Sequence, residues 1–242
     1  MNNLFNLLHN TNQDCNFSNE IKQGKYIESI NNSLTNNDIF KKHYNNLVFC
    51  ILDNNDMILS NTPKTEKSHI LNQRILEILS IVDSEDFYKN FGYNNRVVKK
   101  QEIQTNVQLS LKGKNNILTI KFFNDYYKIH FVIVDFHSKK YYETTKKNYN
   151  RNYLVIKDKK FYLFSDYDIS KYNLSHLDSL SQFTININKN IYKTHLDSIG
   201  KYKINDLKDI AKNININLTD NGKQKTKQIL YEEINNYYLN LI

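Results

Sequence analysis

The chain has no tryptophan, a single proline (Pro63), five glycines and two cysteines in 242 residues. Glycines this few and dispersed form no glycine-rich phosphate loop, which argues against an NTPase or a dinucleotide-binding enzyme. Cys15 and Cys50 show no CxxC spacing, so neither a disulfide framework nor a cysteine-rich zinc site is expected. The opening "MNNLFNLLHN" lacks a basic segment leading into a long apolar run, and reads as no signal peptide. The most apolar stretch, "HFVIVDF" (130–136), is too short to cross a bilayer. These absences predict a soluble intracellular protein with no cofactor, no metal site, no catalytic residues, no membrane contact and no small-molecule substrate.

What is present is a basic, aromatic chain. It is 40% hydrophobic and 24% charged, and an aromatic share of 13% argues against wholesale disorder. Asn, Ile, Lys and Tyr crowd the sequence, as codon supply in an AT-rich genome would produce. The formal net charge is +8, with a pI of about 9.1. Such a balance fits an anionic partner, because basic groups that displace counterions gain affinity. It equally fits lysines that a biased genome supplies to solvated faces.

The first half reads as mostly helical. Ser18 fits an N-cap for a segment carrying Ile21, Ile27, Ile30 and Leu34 on one face. "LVFCILD" (47–53) is an apolar run of strand length, and the "NND" and "MILS" after it suggest a hairpin. "SHILNQRILEILSIV" (68–82) is the clearest amphipathic helix, with a broad stripe from Ile70 to Leu79. A short helix starts near Ser84 and stops at Gly92, and another covers 96–111. Residues 116–127 suit a helix presenting Leu118, Phe122 and Tyr126, or a strand. "KIHFVIVDF", "SKKYYETT", "NYLVIKDK" and "KFYLFSD" then read as an antiparallel sheet over about 128–166, and 170–183 is helical again.

From about residue 200 the pattern restarts. Ile204, Leu207, Ile210, Ala211 and Ile214 recur at helical intervals, a polar loop holds Ile216 and Leu218, and a second helix follows "GKQKTK". Two short helices must bury their apolar residues against each other, so Leu207 and Ile210 should face Leu230 and Ile234, with Ile216 between. Lys223, Lys225 and Lys227 fall at or before the second helix start, where free N–H groups and the positive helix end favour a phosphate. The chain thus divides into an α+β domain over 1–190 and a helix–loop–helix module over 191–242.

This arrangement resembles a SAP domain, a small helix–loop–helix DNA-binding module, or its relative at the start of Rho-type termination factors. The matching residues are "LKDIAK" (207–212), Gly222, and Lys227 with Leu230 and Ile234. The same tail is similar to tails of uncharacterised proteins from large eukaryotic DNA viruses. The resemblance covers about a sixth of the chain and departs at Glu233, where a basic residue is common, and at the longer loop containing "LTDN". It implies weak, largely sequence-independent DNA binding through Lys223, Lys225 and Lys227, with Lys201, Lys203 and Lys212 in support. It further implies a non-catalytic role in genome or virion organisation, transcription or packaging, in the viral factory of the host cytoplasm or in the virion. The alternative is a virion structural or interaction protein whose helical hairpin docks a partner protein.

Other constellations are weaker. Cys15 in "NQDCNF" resembles the nucleophile region of ovarian-tumour-type cysteine proteases, but Asp14 precedes the cysteine directly instead of by three residues. No histidine–aromatic pair ends the strand region to supply its base, since "KKFYLFSD" carries Phe161 and Tyr162 but no histidine. Asp135, Glu143 and Lys146 could form a nuclease-like metal site, although their spacing is loose. His130 and His137 are seven apart and fall on opposite faces of a strand, while His9, His43, His69, His176 and His195 are scattered. The aromatic strands interleave lysines as nucleic-acid stacking platforms do, yet alternation explains them better as core.

Overall fold

The computed structural model describes residues 42–135, 140–166, 168 and 190–241. The helix expected after Ser18, the Cys15 segment, the helix expected over 170–183, and His9, His137 and His176 lie outside these residues. Among the described residues the chain is α+β. Its α-helices are α1 (Leu47–Asn55), α2 (Met57–Asn61), α3 (Lys67–Asp83), α4 (Phe87–Phe91), α5 (Lys100–Leu111), α6 (Ile117–Tyr127), α7 (Ile204–Asn213) and α8 (Lys227–Leu239). Its strands are β1 (Ile129–Asp135), β2 (Lys140–Tyr142), β3 (Asn150–Lys157), β4 (Lys160–Ser165), β5 (Thr219–Asp220) and β6 (Lys223–Gln224). Two units result: Met1–Ser84 with Lys100–Thr145 and Tyr149–Asn188, and Glu85–Lys99 with Lys146–Asn148 and Lys189–Ile242.

In the first unit the run expected as a strand at 47–53 is helix α1. Asn46 is extended, and its side chain accepts the Phe49 N–H at 2.9 Å, which starts the helix. Six of its nine residues, Leu47, Val48, Cys50, Ile51, Leu52 and Asp53, are buried. A helix enclosed on most sides shows the same unbroken apolar run as an interior strand, so periodicity cannot separate them. The expected hairpin is a helix-to-helix junction. Asp56 is the last cap of α1 and the first cap of α2, accepting the N–H groups of Ile58 and Leu59 at 2.9 Å each. Helix α3 forms as expected, but only Ile75, Ile78 and Val82 are fully buried, and Leu76 is 66% exposed.

Residues 116–127 take the helical alternative as α6, with Asn116 accepting the Leu118 N–H. Every residue from Thr119 to Asp125 is buried, which the helix achieves by packing between α5 and β1. The sheet corrects the antiparallel expectation: its order is β2-β1-β3-β4, and β1 and β3 run parallel from Ile129↔Asn150 to Asp135↔Ile156. β2 returns antiparallel on one side of β1, and the chain then crosses to begin β3 on the other side. β1 is buried on both faces from His130 to Asp135, as an interior strand must be. Alternation reports which face is wet and carries no information on strand direction, so the mixed sheet is invisible to it.

The second unit joins α4 to the C-terminal helices. α4 ends where expected, at Gly92, whose φ of +68° is the left-handed conformation that glycine adopts without strain. Tyr93 then pairs with Tyr192. Asn94 N–H donates to the Ile191 carbonyl and Lys193 N–H to the Gly92 carbonyl, both at 2.9 Å. The rings of Phe87, Phe91, Tyr93 and Tyr192 pack about this bridge.

Candidate nucleic-acid interface

The two C-terminal helices are fixed by a small shared core. Leu196, Leu207, Ala211, Leu230 and Ile234 are buried together, with Ile210, Ile214, Ile216 and Leu218 partly buried against them. Of the residues that the helical spacing selects, Leu207, Ile210, Ala211 and Ile214 join Leu230 and Ile234 in this core, whereas Ile204 is 40% exposed. Leu196 adds to them from outside the two-helix pattern, held by its N–H donating to Asn235 Oδ1 at 2.9 Å. Helix α7 starts at extended Lys203, whose N–H donates to Asp206 Oδ2 at 2.6 Å. This is half of a capping box, because a lysine side chain has no acceptor to return. The helix closes through left-handed Asn215, which lets the Ile216 N–H reach back to the Ala211 carbonyl at 2.8 Å.

The segment read as a long polar loop is a hairpin. Thr219↔Gln224 and Asp220↔Lys223 pair across a two-residue turn with φ of +48° at Asn221 and +77° at Gly222. Both central residues are left-handed, which is the type I′ geometry that Asn-Gly favours. That dipeptide is the signal sequence reasoning passed over, although it identified Gly222 as the turn. The Lys225 N–H then donates to the Leu218 carbonyl at 2.9 Å, and Thr226 Oγ1 accepts the Ile229 N–H at 3.3 Å to start α8.

The six lysines expected to contact nucleic acid fall into three situations. Lys201 and Lys212 are exposed and lie near acids of their own turns, at 3.1 Å from Asp197 and 3.8 Å from Asp209. Lys225 is drawn inward: its side chain is 11% exposed and its Nζ is 2.8 Å from Glu233 Oε2. Lys203, Lys223 and Lys227 make no side-chain hydrogen bond or ion pair among the described residues, and Lys223 sits across the hairpin from Asp220. The structure gathers Lys223, Lys225 and Lys227 on one short segment. It separates Lys203 from Lys212, which lie at opposite ends of α7, about 14 Å apart along its axis. Lys208 is the residue that the sequence reading left out; its Nζ donates to Gln224 Oε1 at 2.6 Å and ties α7 to the hairpin.

Charge is unevenly distributed between the units. The second unit contains fourteen basic and eight acidic residues, a net of +6 out of the chain's +8. Part of this comes from Lys89, Arg96, Lys99, Lys146 and Lys147, which join the unit through contacts far apart in sequence.

The other constellations resolve differently. Cys50 is fully buried and burial pushes its thiol well up, which leaves it unreactive. Glu143 Oε1 takes Arg151 Nη2 at 2.9 Å, Asp135 is buried, and no group of three metal-binding side chains occurs among the described residues. His130 is buried, and its Nε2 accepts the Thr144 N–H at 3.2 Å; burial, then Arg151, pull its pKa down to about 4. Tyr142, Phe161, Tyr162 and Phe164 are buried, so these strand aromatics are core and offer no stacking platform. No helix among the described residues is long and apolar enough to cross a membrane. Comparison of the chain with protein-family models, with curated proteins and with solved structures yields no match.

Proposed function

We propose that this chain is a non-catalytic nucleic-acid-associated protein of a large DNA virus, binding DNA weakly and without sequence preference through a SAP-like C-terminal module. In this reading it serves genome or virion organisation, transcription or packaging. The observation that carries it is the cationic segment of the β5–β6 hairpin and the α8 start. Lys223 and Lys227 flank an N-terminal helix end, and Lys225 stiffens the segment between them through Glu233. Lys203 adds a third ammonium group not engaged by the described residues, and the excess of +6 in the same unit supplies the long-range field. With no base-reading element identified among the described residues, the contact proposed is with phosphates, which position a protein without specifying sequence.

The test is fluorescence anisotropy of a labelled 30-base-pair duplex, at about that length, with the full chain over a salt series. Affinity should fall steeply with salt, and Lys203→Gln, Lys223→Gln and Lys227→Gln together should lower the log–log slope by about 3. No binding at low salt, or an unchanged slope in the triple variant, defeats the proposal.

A second reading has its own support. Ile229, Tyr237 and Leu241 are 42%, 39% and 65% exposed on and just beyond α8, apolar area suited to a protein partner. In that reading the partner stays bound after nuclease treatment and is lost in Ile229→Asp.

A further inference from the structure

Of the five glycines in the chain, only Gly222 follows an asparagine. Asn221 and Gly222 are the two central residues of the β5–β6 turn, and both are exposed. An Asn-Gly bond holds a reacting pair of its own: the glycine amide nitrogen, shielded by no Cβ, can attack the side-chain amide carbon before it. A Cβ at Gly222 would meet nothing within 4 Å, so the peptide between the two residues has room to turn over. Turning it over converts type I′ into type II′, which keeps φ positive at Asn221 and reverses it at Gly222. Glycine adopts both signs freely. In the type II′ form the Gly222 nitrogen lies beside Asn221 Cγ. The hairpin opposes this conversion weakly, because each of its strands is two residues long and all four residues are exposed.

We propose that Asn221 is a site of spontaneous deamidation whose product takes the β5–β6 turn apart. The Gly222 nitrogen gives up its proton to water and bonds to Asn221 Cγ. The bond from Cγ to the side-chain nitrogen breaks, and ammonia leaves. Water then opens the cyclic imide in one of two ways. Attack at Cγ restores the main chain with aspartate at 221. Attack at the main-chain carbonyl of 221 breaks the original peptide bond, and the chain now runs through the side chain as isoaspartate. Isoaspartate adds one backbone atom to a turn that closes Asp220↔Lys223 with two residues, so the register is lost. Gln224, whose Oε1 takes Lys208 Nζ at 2.6 Å, is released with it. The neighbouring sequence supplies a control. Asn213, Asn215 and Asn217 are exposed, and Asn215 is left-handed at φ +58°, but they precede Ile214, Ile216 and Leu218, whose side chains crowd the attacking nitrogen. This chemistry needs no nucleic acid, so it stands or falls apart from the DNA reading.

The test ages the full chain in warm, mildly alkaline buffer and follows it by tryptic digestion and fragmentation mass spectrometry against unaged protein. The tryptic peptide 213–223 holds Asn213, Asn215, Asn217 and Asn221, so fragmentation locates the change. Asn221 should exchange its NH2 for OH well before the other three, with part of the product accepted by an isoaspartyl methyltransferase. The melting temperature of the aged parent should fall below that of the unaged protein. Asn221→Gly keeps a turn that Gly-Gly favours and has no amide to lose, so its melting temperature should hold on ageing. An Asn221 amide that survives in the folded chain while the isolated peptide loses it overturns the inference, because the turn then protects it. Loss at Asn213, Asn215 or Asn217 as fast as at Asn221 overturns it as well. So does full conversion at Asn221 with an unchanged melting temperature, since the turn would then tolerate its product.

Discussion

Lys225 and Glu233 form the ion pair that fastens the β5–β6 hairpin to the second turn of α8, at 2.8 Å across eight residues of sequence. Both occupy positions that the sequence reading weighs as simple charge, one attracting a phosphate and the other opposing it. Paired, they neutralise each other and set where Lys223 and Lys227 project. A partly exposed pair of this kind contributes about 0.5 kcal/mol after solvent screening. Lys225→Gln should therefore lower the melting temperature slightly and leave the salt slope of DNA binding within error of the parent. Loss of slope equal to that in Lys223→Gln, with no change in melting temperature, would assign Lys225 to the interface instead.

The features legible in sequence were those carried by a period. Leu207, Leu230 and Ile234 announce the C-terminal core because α7 and α8 each bury one stripe, and Gly92 announces its helix end because its conformation needs glycine. Leu47–Asn55 was not legible, since burial on most sides erases the stripe. The parallel β1–β3 pair was not legible either, since pairing direction leaves no mark on alternation. Within the candidate site, Lys223 and Lys227 could be named from the sequence. The engagement of Lys225 by Glu233 and of Lys208 by Gln224 could not, because each depends on a hairpin that brings distant residues together.

The hairpin itself gives a differential test. A Cβ at Gly222 would meet nothing within 4 Å, so the only penalty of Gly222→Ala is backbone strain at φ +77°, about 1 kcal/mol. Gly200 is equally uncrowded and has no positive φ, so Gly200→Ala should be close to neutral or slightly stabilising. Thermal melts of the two variants should separate in that order. Equal shifts would contradict the left-handed turn.

In the first unit, Asp53 is buried at 2% exposure and takes hydrogen bonds from Tyr44 at 2.6 Å and from Lys67, with Lys42 Nζ at 3.1 Å. Burial alone would raise its pKa, yet the three donors Lys67, Tyr44 and Lys42 together pull it below the usual carboxylate range. Asp53→Asn removes the charge and leaves the lysines without their counterion. The expected loss is about 2–3 kcal/mol by denaturant titration, softened because Lys42 is largely exposed. A depressed carboxyl stabilises above its unfolded pKa and loses that contribution as pH falls through the folded value, so the parent's acid-side loss should shrink in Asp53→Asn. A variant as stable as the parent at neutral pH would show the cluster to be energetically idle.

His130 gives the opposite kind of group and a different pH window. Its Nε2 accepts from the Thr144 N–H, so the folded state requires the neutral ring, and Arg151 lies in register on the neighbouring strand. The folded pKa is pulled down to about 4, against about 6.5 when unfolded. Between those values the unfolded chain binds the extra proton, so stability rises with pH across the window and falls as the solution is acidified from about 6.5 towards 4. The full difference amounts to about 3 kcal/mol as an upper bound. His130→Gln keeps an acceptor for Thr144 but cannot titrate. Its melting temperature should lie below the parent's at pH 7 and lose the extra acid slope between about pH 4 and 6.5, where the parent retains it. Parallel pH profiles for the two proteins would mean that His130 is already protonated when folded, and that the Thr144 hydrogen bond does not form.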